Sequence, residues 1–190
     1  MKKIFLLVAL ILSVACPVCL ANGINSVERI GVILIDGSDF KSQGFYRYAK
    51  EHLDDENHRY IVDAGDELQT KYLNFWIDKG ELEEQEAKKK DLLDFVKYSG
   101  YDKILYLIAA DPVTESRRTG IFGIGMYVRT SVQIRGFLCD SENILATHVS
   151  NKDGDSETSD LRARRDAFNK ALHDMGDYFP EYMAKRNSGE

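Results

Sequence analysis

Three short and nearly continuous apolar runs follow one another along the chain, at residues 29–35, 60–63 and 101–109. The first two are followed by turn-forming Asp and Gly residues. Runs of this length are typical of strands that are buried on both faces of a sheet. Because helical patterns separate the runs, we predict parallel strands joined by helices that cross over the sheet.

Apolar residues recur at intervals of three and four between these runs, which predicts helices. The predicted helices cover 42–53, 68–79 and 91–98, and the charged segment 81–90 is predicted as a solvated helix or a helical linker. Ser42 is the expected N-cap of the first helix, and Gly80 and Gly100 are expected to end the second and third.

The pattern changes to strict alternation between residues 127 and 138. Alternation with a period of two predicts a half-exposed strand, and the turn at 140–143 returns the chain into a partner strand at 144–149. The predicted inner and outer positions are Val128, Val132, Ile134 and Leu138 on one side and Arg129, Ser131, Gln133 and Arg135 on the other.

The polar segment 152–157 is predicted as a loop before a last amphipathic helix. Ser159 or Asp160 caps that helix, which continues to Phe179 and covers one face of the sheet. The predicted fold is therefore α/β with a mixed sheet, in the order strand, helix, strand, helix, strand, β-hairpin and C-terminal helix. It forms a single domain over residues 22–190.

Residues 1–21 have the pattern of a secretory signal peptide: two lysines, a long apolar run and small residues before a cleavage point after Ala21. The alternatives are lipidation of Cys16, which follows Ala15, and a retained membrane anchor. A bilayer-spanning helix needs about 20 apolar residues, whereas this run breaks at Pro17. We therefore expect an exported protein that is periplasmic or envelope-associated, with a lipid anchor if Cys16 is modified.

Charge and cysteine content exclude some classes of partner and of stabilisation. The formal net charge is −6, and it becomes slightly more negative when the two lysines of the signal are removed, so nucleic acid is not an expected partner. Only Cys139 survives cleavage after Ala21, and an intramolecular disulfide then cannot form. Because Cys139 lies in an apolar run, we expect a buried and inert thiol.

The order of these elements resembles a group of bacterial envelope domains. The likeness rests on the opening strand 29–36, on the step from Gly100 through Tyr101 and Asp102 into the strand at 103–106, and on the hairpin 127–149. The domains concerned are the amino-terminal domain of the Tol-system periplasmic protein, the soluble domain of the curli secretion channel and the penicillin-binding-protein activator lipoproteins. The resemblance implies a non-enzymatic protein that binds other proteins or assembles into envelope machines.

Carboxylates follow the predicted strands. Asp36 and Asp39 come after the first strand, and Asp63, Asp66 and Asp111 end its neighbours. Ligands of open α/β sheets bind at the carboxyl ends of strands, and carboxylate oxygens are ligands for divalent metals. The alternative explanation is that Asp is common in turns for reasons unrelated to function.

The glycine-rich segment 120–125 lacks the strand and the helix that a dinucleotide-binding loop requires on its two sides. We interpret it as an apolar loop that feeds the hairpin, either as a contact surface for a partner or a membrane or as a loop packed against the domain. The side chains of that surface are Arg117, Arg118, Ile121, Phe122 and Ile124.

No sequence pattern indicates a catalytic group or a cofactor. The histidines lack the spacing of metal ligands, and no Gly-x-Ser-x-Gly motif is present. The leading hypothesis is an exported, non-enzymatic binding or assembly module of the cell envelope with an envelope protein as its partner. The alternatives are a metal-dependent phosphoryl-transfer or hydrolase domain that uses the strand-end carboxylates, and a structural oligomer built through the 120–125 loop and the hairpin edge.

Overall fold

A mixed β-sheet organises the computed structural model, which describes residues 27–36, 40, 43–54, 59–80, 88–119 and 125–185. The strands of these residues are β1 Glu28–Asp36, β2 Tyr60–Ala64, β3 Lys103–Ala109, β4 Val113–Thr119, β5 Gly125–Cys139 and β6 Ile144–Ser156. The helices are α1 Gln43–Leu53, α2 Asp66–Asp78, α3 Lys89–Ser99, α4 Asp160–Tyr178 and α5 Pro180–Met183.

Strands β2, β1 and β3 are parallel neighbours, and β5 joins β3 in the antiparallel sense. Central β1 is buried on both faces, since Ile30, Val32 and Leu34 belong to one apolar cluster while Ile33 and Ile35 belong to another. Burial on both faces explains the continuous apolar run in this part of the sequence. The predicted parallel crossovers are confirmed.

Helices cover both faces of the parallel half of the sheet. Phe45 and Leu53 of α1 and Phe168 and Leu172 of α4 pack on one face in a single buried cluster. The other face is covered by α2 and α3, and its buried aromatic residues are Tyr72, Phe75, Trp76 and Phe95. The predicted mixed α/β fold is confirmed, and α4 covers one face of the sheet, as predicted for the last helix.

The predicted hairpin is present, but its second strand is longer than the pattern indicated. The structure contradicts the loop predicted at 152–157, because β6 continues to Ser156 and its residues pair with β5 as far as Val128. Gly154 faces α4 here, and a Cβ at this position would meet the backbone of Ala163 and Ala167. This end of β6 looks like a loop in sequence because its inward position is a glycine and the residues on either side are polar.

Strand β4 was not predicted from the sequence. All of its side chains are exposed, so no hydrophobic periodicity marks it. Both β3 and β4 pair with the same edge of β5, and the Ala110 amide donates to the Gln133 carbonyl at 3.0 Å between them. Strand β1 ends at Asp36, which pairs with Ala109, the last residue of β3. Strand β4 begins four residues later, so it extends past the end of the central strand.

The helix ends agree with the caps expected from the sequence where the structure describes them. The Ser159 hydroxyl accepts a hydrogen bond from the Arg162 amide at 3.3 Å, which identifies Ser159 as the N-cap of α4. Gly80 and Gly100 follow α2 and α3 with φ of 87° and 76°, a region in which glycine is favoured. Ser42 and most of the charged segment, residues 81–87, lie outside the described residues.

A buried lysine joins the sheet to the C-terminal turn. The Lys103 side chain is 1% exposed, and its Nζ donates to Glu28 Oε2 at 2.6 Å. The same Nζ donates to the carbonyl oxygens of Met183 at 3.1 Å and Lys185 at 2.7 Å. The ammonium group is therefore satisfied on three sides, as a buried charge requires.

Candidate functional site

Among the described strand-end carboxylates, Asp63 lies apart from Asp36, because it pairs with Gly31, five residues before Asp36 on β1. Asp36 ends β1 with φ of 56° and is exposed, and Asp111 is exposed two residues beyond β3. Strand β2 ends at Ala64, which pairs with Val32, four residues before β1 ends at Asp36. The carboxyl ends of the two strands are therefore not level along the sheet. Asp39 lies outside the described residues.

Asp63 has a structural partner of its own. The Tyr101 hydroxyl donates to its carboxylate, and Arg29 Nη2 lies 3.6 Å from Asp63 Oδ2. The guanidinium carbon of Arg29 also lies 4.7 Å from the centre of the Tyr101 ring. Burial and the hydrogen bond to Asp63 raise the pKa of Tyr101 to about 12. Among the described residues, no group of three or more His, Cys, Asp or Glu side chains is placed to hold a metal ion.

Strand β4 and residues 125–131 of β5 form an arm that we call the β4–β5 arm. Arg117 and Arg118 lie on opposite faces of β4 and are exposed. Arg117 lies opposite Tyr127 of β5, and Arg118 lies opposite Met126. Of the sequence-predicted contact residues, the structure therefore places both arginines on this arm. Ile121, Phe122 and Ile124 lie outside the described residues.

The outer edge of β4 is unpaired within the described residues, because β5 is the strand that pairs with it and does so on the inner side. Every side chain of β4 is exposed, and Val113 is 66% exposed. A strand edge of this kind presents unpaired backbone N–H and C=O groups to a further strand. Sequence reasoning did not detect this edge.

The face of the arm that points away from α4, which we call the open face, is a ladder of polar side chains. The Tyr127 hydroxyl donates to Asp155 Oδ1 at 2.5 Å, and Ser131 Oγ donates to Asp153 Oδ1 at 2.5 Å. Arg129 is ion-paired with Asp153. The hydrogen bonds from Ser131 and Arg129 lower the pKa of Asp153. The ladder keeps this uncovered face polar and fixes its charges in place.

A shallow cleft of 480 Å³ crosses the outer surface of α4 between α1 and β6. It is lined by Tyr48, Lys152, Asn169, Lys170, His173, Asp174 and Asp177. A second cleft of 400 Å³ adjoins it, with the rings of Phe40, Phe45 and Phe168 in its wall. The two clefts share Tyr48 and Asn169, so they form one continuous depression beside α1.

The three histidines that the structure describes, His52, His148 and His173, gather around this depression. The His52 ring stacks on Tyr48 with centroids 3.7 Å apart and lies 5.8 Å from the His173 ring. His148 Nε2 lies 2.9 Å from Asp174 Oδ2. The three residues come from α1, β6 and α4, so no local spacing in the sequence brings them together.

Asp174 is the most perturbed carboxyl group of this depression. Burial acts to raise its pKa, but the contacts of its carboxylate with His148 and with the Lys152 ammonium at 3.0 Å outweigh burial and lower the pKa to about 2. The group is therefore a stable anion that holds β6 against α4. Its geometry indicates a structural ion pair at the rim of the depression.

The remaining candidate residues are the cysteines. Cys139 is buried at the end of β5, and burial together with the nearby Asp140 raises the pKa of its thiol to about 12. A thiol with so high a pKa is a poor nucleophile at neutral pH, as expected from the sequence. Cys16 lies outside the described residues. None of the described helices is both long enough and apolar enough to cross a bilayer.

No protein-family model and no curated protein matches the chain. Among solved structures, it is similar to a hypothetical protein from Chlamydia trachomatis, with 6% identity over 82% of this chain and 97% of the other and a TM-score of 0.46. It is also similar to a lipoprotein from Neisseria meningitidis, with 16% identity over 77% and 99% and a TM-score of 0.41. Rare lipoprotein B from Shewanella oneidensis matches with 13% identity over 83% and 94% and a TM-score of 0.33.

Proposed function

We propose that the protein is an exported, non-enzymatic binding or assembly module of the bacterial cell envelope, and that it contacts its protein partner through the outer edge of β4. Export is supported by the sequence of residues 1–21, with its two lysines, its apolar run and its cleavage point after Ala21. The contact surface is supported by the geometry of the β4–β5 arm.

The observation that carries this proposal is the outer edge of β4, with which no strand of the described residues pairs. It extends over seven residues, all of them exposed, while the strand itself is held to β5 along its whole length. An edge that is both rigid and open can accept a strand from another protein, in which case backbone hydrogen bonds supply affinity and side chains supply specificity.

The charges of β4 favour a specific contact over unspecific aggregation. Arg117 and Arg118 make no ion pair with another described residue, although both are exposed. Charged side chains along an edge strand prevent pairing with arbitrary strands and permit pairing with a strand of complementary charge. A partner of this edge should therefore present carboxylates opposite the arginines.

Site-specific photocrosslinking in intact cells tests the contact surface. A photoreactive residue replaces Val113 on β4 in one variant and Ile77 on α2 in a matched variant; the two native side chains are 66% and 57% exposed. We expect a covalent adduct with an envelope protein from position 113 and none from position 77. Equal adducts at both positions, or none at position 113, would contradict the proposed surface.

The mass of the protein recovered from the cell envelope tests export. We expect a chain that begins at Asn22, or one that begins at Cys16 and carries lipid. A protein that retains residues 1–21 and fractionates with the cytoplasm would contradict the proposal, whatever its partner.

The open edge also favours a second candidate, a structural oligomer of the envelope. The edge that can pair with a strand of another protein can also pair with the same strand of a second copy, provided that its side chains are complementary to themselves. Adducts of twice the chain's mass at position 113 would identify this case.

A further inference from the structure

We propose that the outer edge of β4 pairs antiparallel with the β4 edge of a second copy of this chain, about a two-fold axis at Ser116. The two sheets then continue into one another across the dimer. This inference rests on the second candidate above, the structural oligomer, and names the register in which its copies pair. A foreign strand cannot occupy the same edge at the same time.

Symmetry restricts how two copies of one edge can pair. A two-fold axis that relates two antiparallel strands is perpendicular to the sheet, so each side chain stays on its own face. The axis lies midway between two equivalent residues, one from each copy, and the other residues pair symmetrically about it. With the axis at Ser116, all seven residues of β4 find a partner. Val113 then lies opposite Thr119 of the second copy, and Glu115 lies opposite Arg117.

The charges of β4 are complementary in this register. Glu115 and Arg117 lie on the same face, because they pair with Arg129 and Tyr127 on the open face of β5. The two-fold axis therefore creates two identical ion pairs between Glu115 of one copy and Arg117 of the other. Opposite charges directly across a strand pair are stabilising, whereas like charges are destabilising.

Shifting the axis by one residue removes this complementarity. An axis at Glu115 places the two Glu115 side chains opposite each other, and an axis at Arg117 does the same with the two arginines. Both shifts also leave two residues of β4 unpaired in each copy. The charge pattern therefore selects the register centred at Ser116.

Neither member of the proposed pair is engaged within its own chain. Glu115 makes no ion pair with another described residue, and the same holds for Arg117. Arg129, the neighbour of Glu115 on β5, is already paired with Asp153. Forming the contact between copies therefore breaks no ion pair among the described residues of either chain.

Charge reversal provides the test, with the protein purified as cells produce it. The variants are Glu115→Arg, Arg117→Glu and the double variant, with Arg135→Glu as a control on the open face away from the edge. Sedimentation equilibrium and light scattering measure dimerisation from about 1 μM to about 1 mM protein, the range in which weak to moderate association is detected.

We expect the natural chain to dimerise and Arg135→Glu to leave the dimer dissociation constant unchanged. Each single reversal should raise that constant at least about tenfold, since two attractive pairs become two repulsive ones. The double variant should recover dimerisation. An equimolar mixture of the two single variants should form a mixed dimer, because arginines of one chain then face glutamates of the other.

A protein that stays monomeric over the whole concentration range would overturn the proposal. So would single reversals that leave the constant unchanged, or a double variant and a mixture that fail to recover it. Thermal unfolding checks that each variant is folded, and Glu115→Gln provides a milder change with the same expected direction. A monomeric natural chain that still forms a heavier adduct at position 113 would overturn the dimer and leave the proposed function standing.

Discussion

Lys103→Met removes a buried ammonium group that makes three polar contacts, and it should cause a large loss of stability. Methionine preserves much of the length and apolar stem of the lysine but removes its ammonium group. The variant leaves the Glu28 carboxylate and the carbonyl oxygens of Met183 and Lys185 without the donor that now joins them.

The magnitude follows from the burial of these groups. Removing one partner of a buried ion pair costs about 3–5 kcal/mol. The Glu28 side chain is 21% exposed, so water can solvate part of its charge and the cost lies near the lower limit, about 3 kcal/mol. For a domain of this size, each kcal/mol lowers Tm by about 2–4 °C, so the expected decrease is about 6–12 °C.

Urea denaturation followed by circular dichroism measures the change in the free energy of unfolding. Lys170→Met is the matched control, since Lys170 is half exposed and ion-paired with Asp166, and it should cost less than about 0.5 kcal/mol. A loss below about 1 kcal/mol in Lys103→Met would refute the view that this contact fixes the C-terminal turn to the sheet. Adding Glu28→Leu should restore part of the stability, because the uncompensated carboxylate is then removed.

Three further predictions concern other contacts of the domain. Gly154→Ala should destabilise it by about 3 kcal/mol or more in urea unfolding, because the new Cβ meets the backbone of Ala163 on α4. Asp174→Asn should make the free energy of unfolding depend less on pH in acid. Because the pKa of Asp174 is lowered in the folded protein, its contribution is present above about pH 4 and is lost as pH falls towards 2. This contribution is about 1 kcal/mol after solvent screening. Cys139 should react with a thiol reagent only at the rate at which the domain opens, because its side chain is buried and closed to the reagent in the folded state.

Each of these predictions has a control or an outcome that would contradict it. Gly65→Ala should cost less than about 1 kcal/mol, because Gly65 is the N-cap of α2 but a Cβ there meets nothing within 4 Å. An equal loss at both glycines would contradict the packing argument. For Asp174→Asn, a pH profile parallel to that of the natural chain would show that the carboxylate is not paired. For Cys139, rapid modification of the folded protein would show that β5 is accessible at this end.

The elements predicted correctly from the sequence are those whose burial is visible in the order of apolar and polar residues. Strand β1 is apolar on both faces because helices cover both sides of it, and α4 repeats its apolar residues as far as Met175 because one side contacts the sheet. The alternation in β5 likewise reflects one covered face and one open face. In these cases the sequence pattern is a direct record of solvent exclusion.

The elements that were missed or shortened, β4 and the end of β6, lack a regular pattern of apolar residues. Strand β4 is exposed on both faces, and its existence depends on backbone pairing with β5, to which side-chain polarity gives no clue. The end of β6 was predicted as a loop because Gly154 and its polar neighbours resemble a turn. Close approach of α4 is what requires glycine there, and that contact is not local in sequence.

The candidate site was predictable only in part for the same reason. Arg117 and Arg118 were identified as contact residues from their place beside an apolar loop, but the open edge on which they lie became visible only in the strand pairing. The histidines around the depression beside α1 come from separate elements. Their proximity depends on how α1, α4 and β6 pack together.

Amide hydrogen exchange along β4 tests most directly whether its edge is the contact surface. The exchange rates are measured by mass spectrometry on the protein in its envelope fraction and on the same protein purified and diluted. We expect the amides of 113–119 that face away from β5 to exchange slowly in the assembled state and faster after dilution, while the amides that donate to β5 and the peptides from α2 exchange equally in both. Equal rates for 113–119 in the two states, with new protection on another surface, would contradict the proposed contact surface.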